Sequence, residues 1–373
     1  MNLIPKMMSK LRVIISGGGT GGHIFPAIAI ANALKKLQPD TEILFVGALG
    51  KMEMEKVPEA GYRIIGLPIM GLKRKVSFSV FKTLMMLMIS LVKAKRIIKT
   101  FQPDVVVGVG GYASGPVLRK AVKLKIPALI QEQNSFAGMT NKLLGSKVAK
   151  ICVAYEGMEK YFPKEKIVLT GNPVRKDLLD VKTKSSSSPF DDISKKETKV
   201  LFITGGSLGA RTLNEAVINH IDLLKQADVQ VIWQTGKLYI KEMKQRMAEH
   251  DISNIRMVDF VSRMDLVYAL AHVVICRSGA LTCAELALTG KASILVPSPN
   301  VAEDHQTKNA MALVNKNAAL MVNDVDAKND LIPKALELLN DIKKQQILVN
   351  NIRPLAKPDA DIDIAKEIIK LKI

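Results

Sequence analysis

The chain has 373 residues, with 54 Lys and Arg against 35 Asp and Glu and a formal net charge of +19 at pH 7. That length is more than one hydrophobic core usually serves, and 48% apolar against 24% charged residues excludes disorder as the main state, so two packed domains are expected. Aromatic residues make up only 5%, with Trp233 the sole tryptophan, which leaves little to stack on bases; no nucleic-acid partner is expected despite the basicity. Cys152, Cys276 and Cys283 form no C-x-x-C pair and fit a reducing compartment. The basic opening MNLIPKMMSK runs straight into a short strand without a leader's apolar core, and the longest apolar stretch, 83–92, is half a membrane span. Neither a signal peptide nor a spanning helix is expected.

Leu11–Ser16 is predicted as a buried strand, followed by the glycine loop GGGTGGH (17–23) and a helix opening near Phe25-Pro26, where proline suits a first turn. Glu42–Val46, Asp104–Val109 and Ala128–Ile130 are the next strands, with helical segments between several of them. Between Ala60 and Pro103 there is no acidic residue, while Arg63, Lys73, Arg74, Lys75, Lys82, Lys93, Lys95, Arg96 and Lys99 fall there. Phe78, Phe81, Met85, Met88 and Val92 recur in this segment at helical spacing, the composition of a basic amphipathic helix in an anionic membrane interface; a helix packed on its own domain has the same period. Residues 1–172 carry 26 basic and 10 acidic residues, or +16, and the remainder 28 and 25, or +3, so the charge is local.

At Lys199 the scheme restarts with the strand KVLFIT, the loop GGSLGA (205–210) and the helix RTLNEAVINHIDLLK. Val229–Trp233, Val273–Cys276 and Ala292–Val296 are further strands. Alternating strands and helices predict parallel sheets covered on both faces: an α/β fold of two doubly wound domains. The polar stretch 182–197 reads as an exposed loop or linker.

Neither glycine loop has the Lys-Ser/Thr of a Walker A, and the first lacks the acid ending the second strand that a dinucleotide fingerprint needs, since FVG runs into Ala48-Leu49. What remains is the physics common to such loops, backbone N–H groups and a helix N-terminus favouring an anion, with a diphosphate the economical ligand. CRSGALTCAE (276–285) adds Thr282, a candidate cap or phosphate contact, and Glu285, a candidate acceptor for two ribose hydroxyls. Five histidines with no H-x-x-x-H or Cys/His cluster give no reason to expect a metal.

The ordered blocks GGGTGGH-x-FP, PDVVVGVGGYASGP, QEQNSFAGMTNKLL, GNPVR, GGSLGARTLN, CRSGALTCAE and DHQTKNA resemble the MurG family of peptidoglycan glycosyltransferases, over about Val13 to Ala310. The resemblance implies a GT-B glycosyltransferase fold, two Rossmann-like doubly wound domains facing a cleft. Residues 1–172 would bind the acceptor and the membrane, residues 173–354 would bind UDP-GlcNAc, and 355–373 would return to the first domain, which makes 182–197 a loop within the second. It implies inverting transfer of N-acetylglucosamine from UDP-GlcNAc to the 4-hydroxyl of the muramyl sugar of lipid I, undecaprenyl-pyrophosphoryl-MurNAc-pentapeptide, giving lipid II at the cytoplasmic face of the inner membrane. No cofactor is implied.

By the same resemblance Thr20, Gly21 and Gly22 match donor-diphosphate and acceptor contacts, Asn134 a donor-site residue, and Arg175 and Ser207 nucleotide-diphosphate contacts. Val261 matches the position whose backbone reads uracil, Ala280, Leu281, Thr282 and Glu285 the phosphate and ribose site, and Gln306 a contact to the sugar hydroxyls. Leu208, Gln131 and His305 depart from the commoner residues of their motifs. His23 and Glu132 are the rival general bases, and Tyr112 is expected to shape the acceptor site. The alternatives are another GT-B enzyme acting on a different membrane lipid, a UDP-GlcNAc epimerase on a similar fold, a basic nucleic-acid-binding or membrane-adaptor protein, and an NAD-dependent oxidoreductase.

Overall fold

The computed structural model describes residues 10–69, 79–175, 178, 190, 193 and 198–372, without the side chains of 79–82 and 302. Lys73, Arg74, Lys75 and Phe78, the side chains of Phe81 and Lys82, and all of 182–197 but Phe190 and Ile193 lie outside the described residues. The rest falls into two compact units, one within Met1–Val174 and Asp359–Ile373, the other within Arg175–Pro358.

The first unit holds β1 (Arg12–Ser16), β2 (Glu42–Ala48), β3 (Arg63–Leu67), β4 (Val105–Gly108), β5 (Ala128–Glu132), β6 (Lys150–Val153) and β7 (Ile167–Leu169), in sheet order β3-β2-β1-β4-β5-β6-β7. The second holds β8 (Lys199–Thr204), β9 (Val229–Gln234), β10 (Ile255–Val258), β11 (Val273–Cys276), β12 (Ala292–Leu295) and β13 (Leu320–Met321), in order β10-β9-β8-β11-β12-β13. Every pairing is parallel. All the strands read from the sequence are present, and β3, β6, β7, β10 and β13 complete the sheets.

Strand alternation explains why both faces need cover. In β1, Ile14 enters one apolar layer and Val13 and Ile15 the opposite one. In β8, Leu201 and Ile203 face one layer, Val200 and Phe202 the other. The helix Ala360–Lys370 returns to the first unit, where Ile364, Ala365 and Ile368 pack in the layer that holds Ile24, Ala27, Ile30 and Ala31 of the helix Gly21–Leu37. The Arg353–Leu355 turn stays with the second unit, its Arg353 side chain lying against Gly290.

Two helices differ from expectation. The first opens at Gly21 rather than near Phe25, because the Thr20 carbonyl accepts from both His23 and Ile24 N–H and closes a turn ahead of the proline; Pro26 therefore sits inside the helix. The run expected over 211–225 splits into Arg211–Asn219 and Ile221–Gln226, because His220 leaves helical geometry at φ −123°, ψ 26°.

Candidate active site

In each sheet the strand order reverses once, between β1 and β4 and between β8 and β11. Register sets Ser16 beside Gly108 and Thr204 beside Cys276, so in each unit two adjacent strands end together and release their loops side by side. That is where open α/β sheets hold ligands.

In the first unit these loops interlock. A Cβ on Gly111, whose φ is +82°, would lie 2.3 Å from the Gly18 carbonyl oxygen, and one on Gly110 would lie 2.6 Å from His23 Cδ2, so GVGGY needs glycine where it meets GGGTGGH. His23, on the first turn of the helix Gly21–Leu37, faces Thr20 Oγ1 through Nδ1 at 3.2 Å. Tyr112, beside this junction in sequence, is 56% exposed. Among the described residues no acceptor takes the N–H groups of Thr20, Gly21 or Gly22, which leaves them open to solvent or to an anion. The Gly19 N–H is different: it donates to Glu53 Oε2 at 2.9 Å. Sequence reasoning missed Glu53, although it follows β2 by a few residues.

Glu132, the last residue of β5, is 2% exposed, and both its oxygens are occupied. Oε1 accepts from Asn134 N–H (3.1 Å) and Nδ2 (3.4 Å), and Oε2 from Gly138 N–H (3.0 Å) and Asn141 Nδ2 (2.8 Å). Burial pushes its carboxyl above the ordinary range, against the pull of these donors. The side chain thus shapes the loop that carries Asn134. Gln133 and Asn172 extend the network: Gln133 Nε2 donates to the Val109 carbonyl at 2.7 Å, and Asn172 Nδ2 to the Gln133 carbonyl at 2.9 Å.

In the second unit Glu285, on the helix Ala280–Thr289, meets Arg175 Nε at 3.9 Å and accepts from the Tyr268 hydroxyl at 3.2 Å. Tyr268, unforeseen from sequence, is fully buried; burial first and the Glu285 charge second hold its phenol well above its usual value, so it stays a donor. Gly279 rather than Thr282 is the helix N-cap, which puts Thr282 in the first turn, where the N–H groups of Leu281 and Thr282 have no acceptor among the described residues. Ala280 opens the same turn.

The second glycine loop is braced by neutral groups. Thr204 Oγ1 accepts from Gly206 N–H at 3.0 Å, and Gln234 Nε2 donates to Thr204 Oγ1 at 3.0 Å and to the Gly206 carbonyl at 2.8 Å. Gln234 Oε1 takes the Val261 N–H at 2.9 Å, tying Val261 to this loop. The Ser207 and Leu208 N–H groups have no acceptor among the described residues. Gln306 Oε1 accepts from Ser298 N–H at 2.8 Å, and its carbonyl accepts from buried Ser278 at 2.8 Å, joining the loops after β11 and β12. Arg277 is fixed by the carbonyls of Val296 and Pro297 and by Asp324, which also accepts from Thr212. The structure thus gathers Arg175, Ser207, Val261, Ala280 to Glu285 and Gln306 along one sheet edge, and Thr20 to His23, Tyr112, Glu132 and Asn134 along the corresponding edge of the other.

The helix Ser79–Phe101 has two apolar sides: Leu91, Ala94, Ile97 and Ile98 enter the core, while Leu84, Met85, Met88, Ile89 and Val92 are exposed, Val92 by 68%. Among the described residues no helix is long and apolar enough to cross a membrane, and no three His, Cys, Asp or Glu side chains gather as metal ligands would.

Residues 13–153 match the glycosyltransferase family 28 N-terminal domain and residues 200–363 its C-terminal domain. A Bacteroides fragilis protein named UDP-N-acetylglucosamine--N-acetylmuramyl-(pentapeptide) pyrophosphoryl-undecaprenol N-acetylglucosamine transferase is 54% identical over 363 residues, 97% of this chain and 96% of that one. A protein of the same name from Cytophaga hutchinsonii is 52% identical over 360 residues, covering 96% of each. The crystal structure of Acinetobacter baumannii MurG aligns with a TM-score of 0.76 at 28% identity, over 96% of this chain and 99% of that one. A UDP-GlcNAc 2-epimerase from Neisseria meningitidis bound to UDP-GlcNAc aligns at 0.67 with 15% identity, over 97% and 100% of the two chains, a likeness of fold alone. With both domains matched in order and full-length relatives identical at more than half their positions, the chain belongs to glycosyltransferase family 28, among the GT-B enzymes of the MurG family.

Proposed function

We propose that the protein transfers N-acetylglucosamine, with inversion, from UDP-GlcNAc to the 4-hydroxyl of the muramyl sugar of lipid I, giving lipid II for peptidoglycan synthesis. The observation that carries this reading is 54% identity along nearly the whole chain to a transferase of that name. The site chemistry is in keeping with it. Displacement at the anomeric carbon needs a base for the acceptor hydroxyl, stabilisation of the leaving diphosphate, and exclusion of water.

His23 is the better base of the two candidates. Glu132 already accepts four hydrogen bonds at 2% exposure and has no oxygen left for a hydroxyl proton, so its part is to hold Asn134 in place. His23 sits at a helix start beside the unclaimed donors of Thr20, Gly21 and Gly22, suited to the acceptor's pyrophosphate, with Tyr112 bordering the same acceptor. On the donor side Glu285 receives the ribose hydroxyls, oriented by Tyr268 and Arg175, while the Val261 carbonyl, its N–H being held by Gln234, and Gln306 read the base and the sugar. The N–H groups of Ser207, Leu281 and Thr282, with the Arg175 guanidinium, take the charge of departing UDP, the work a divalent ion does elsewhere.

An acceptor with a lipid tail requires a membrane face. The exposed Met85, Met88 and Val92, with exposed Lys95, Arg96 and Lys99 on the same helix, favour peripheral binding to an anionic leaflet, within the basic segment 73–99. On this reading the protein works at the cytoplasmic face of the inner membrane.

The test is transfer of labelled GlcNAc from UDP-GlcNAc to a soluble lipid I analogue in EDTA, beside Glu285→Ala. Transfer should persist in EDTA and fall about 10²-fold in the variant, the loss of a charge-assisted contact. Tight UDP binding without transfer would retain the donor site and discard lipid I as acceptor.

A further inference from the structure

Glu53 takes no part in the chemistry above, yet it is 1% exposed, the first residue of the helix Glu53–Glu59. Its carboxylate bridges two backbone donors, the Ala48 N–H at the end of β2 to Oε1 and the Gly19 N–H of the glycine loop to Oε2, both at 2.9 Å. Two glycines make its slot: a Cβ on Gly18 would lie 2.1 Å from Oε1, and one on Gly47 would lie 2.5 Å from Cγ. Among the described residues no cation pairs with it, so these two donors are what satisfy the buried charge.

The contact does not stop at the slot. Gly18, against the carboxylate, presents its carbonyl to Gly111, and Gly110 lies under the His23 imidazole. A run of close contacts thus leads from Glu53 through the two interlocked loops to His23. Resting on the acceptor-side reading given above, we infer that Glu53 is a positioning residue that sets the His23 imidazole against the acceptor hydroxyl. Two N–H donors converging on one side chain require a group that only accepts. A glutamine offers one oxygen and turns an amide N–H toward the second donor; an aspartate falls a methylene short of spanning both.

The test is a double-mutant cycle in the transfer assay with the full chain: Glu53→Gln, His23→Ala and both together, with UDP affinity as a check on the second unit. Glu53→Gln should lower kcat by on the order of 10²-fold, the effect of displacing a reacting group by about 1 Å, and leave UDP affinity unchanged. Added to His23→Ala it should cost almost nothing more, since there is no longer an imidazole to position. Losses that multiply, or a Glu53→Gln kcat within about twofold of the parent, would overturn the inference. Should Glu53→Gln not fold, Gly47→Ala pushes on the same carboxylate from its other side and must give the same non-additivity. Failure of the parent protein to transfer at all would instead strike the acceptor reading.

Discussion

The glycine loops after β1 and β8 leave corresponding strands at the reversal of each sheet, and their sequences look alike, but they are braced by opposite chemistry. A buried carboxylate holds the first, taking the Gly19 N–H that would otherwise face a ligand. A neutral pair, Thr204 and Gln234, holds the second and leaves the Ser207 and Leu208 N–H groups unclaimed. The first loop thus has a carboxylate at its back and the second has only neutral groups, so two similar motifs offer an anion different surroundings. Glycine spacing sets where an anion can approach; the group behind the loop sets which N–H groups remain open to it.

The largest effect that tests this contrast is on the first loop's own side. His23→Ala should lower kcat by about 10²–10⁴-fold, the usual contribution of a positioned base, while UDP affinity holds. A matching loss of UDP affinity would mean the two loops share one ligand. Next comes Met88→Asp with Val92→Asp: two exposed apolar side chains that each contribute about 1.5–3 kcal/mol when buried should cut co-sedimentation with anionic vesicles by tens-fold or more. Sedimentation equal to the parent's would remove the membrane role of the helix Ser79–Phe101. Gln234→Leu breaks the neutral brace and should weaken UDP by about 10-fold, the loss of one or two hydrogen bonds, with the acceptor KM unchanged. An isothermal titration decides it.

The smallest effect is on pH dependence. The folded carboxyl of Glu132 lies above its unfolded value, so between the two the native state keeps a proton that the unfolded chain has released, and stability falls as pH rises through that window. Glu132→Gln should flatten this part of the melting-temperature profile. An unchanged slope would assign the titration to another group.

Most of the fold was legible because the central strands, buried on both faces, read as unbroken apolar runs; RVIIS and KVLFIT leave little else to be. The strands that escaped lie mostly at edges, where one side needs no cover: β13 is two residues, β7 three, and β10 buries only Ile255. The helix start was misplaced because Pro26 resembles a first-turn signal, whereas the Thr20 carbonyl closes a turn before it. At the site, the motif residues fall along the two reversing edges, since each follows a strand. Glu53 and Tyr268 were illegible for a shared reason. Each acts on a group distant in sequence, 34 residues for Glu53 to Gly19 and 17 for Tyr268 to Glu285, through contacts that only the crossovers create. Ala48-Leu49 at the end of the second strand holds no acid, but the carboxylate of Glu53, a few residues on, accepts the Ala48 N–H with one oxygen and the Gly19 N–H of the glycine loop with the other.

The return of the helix Ala360–Lys370 to the first unit also shapes how the protein is made. On the ribosome the whole of Arg175–Pro358 is translated before Ile364, Ala365 and Ile368 exist to cover the apolar layer around Ile24, Ala27 and Ile30. The first unit is begun first and sealed last, so throughout synthesis of the second it shows a bare hydrophobic strip, the surface on which nascent chains aggregate or recruit chaperones. A stalled or truncated product lacking that helix would be sticky in its first half and sound in its second.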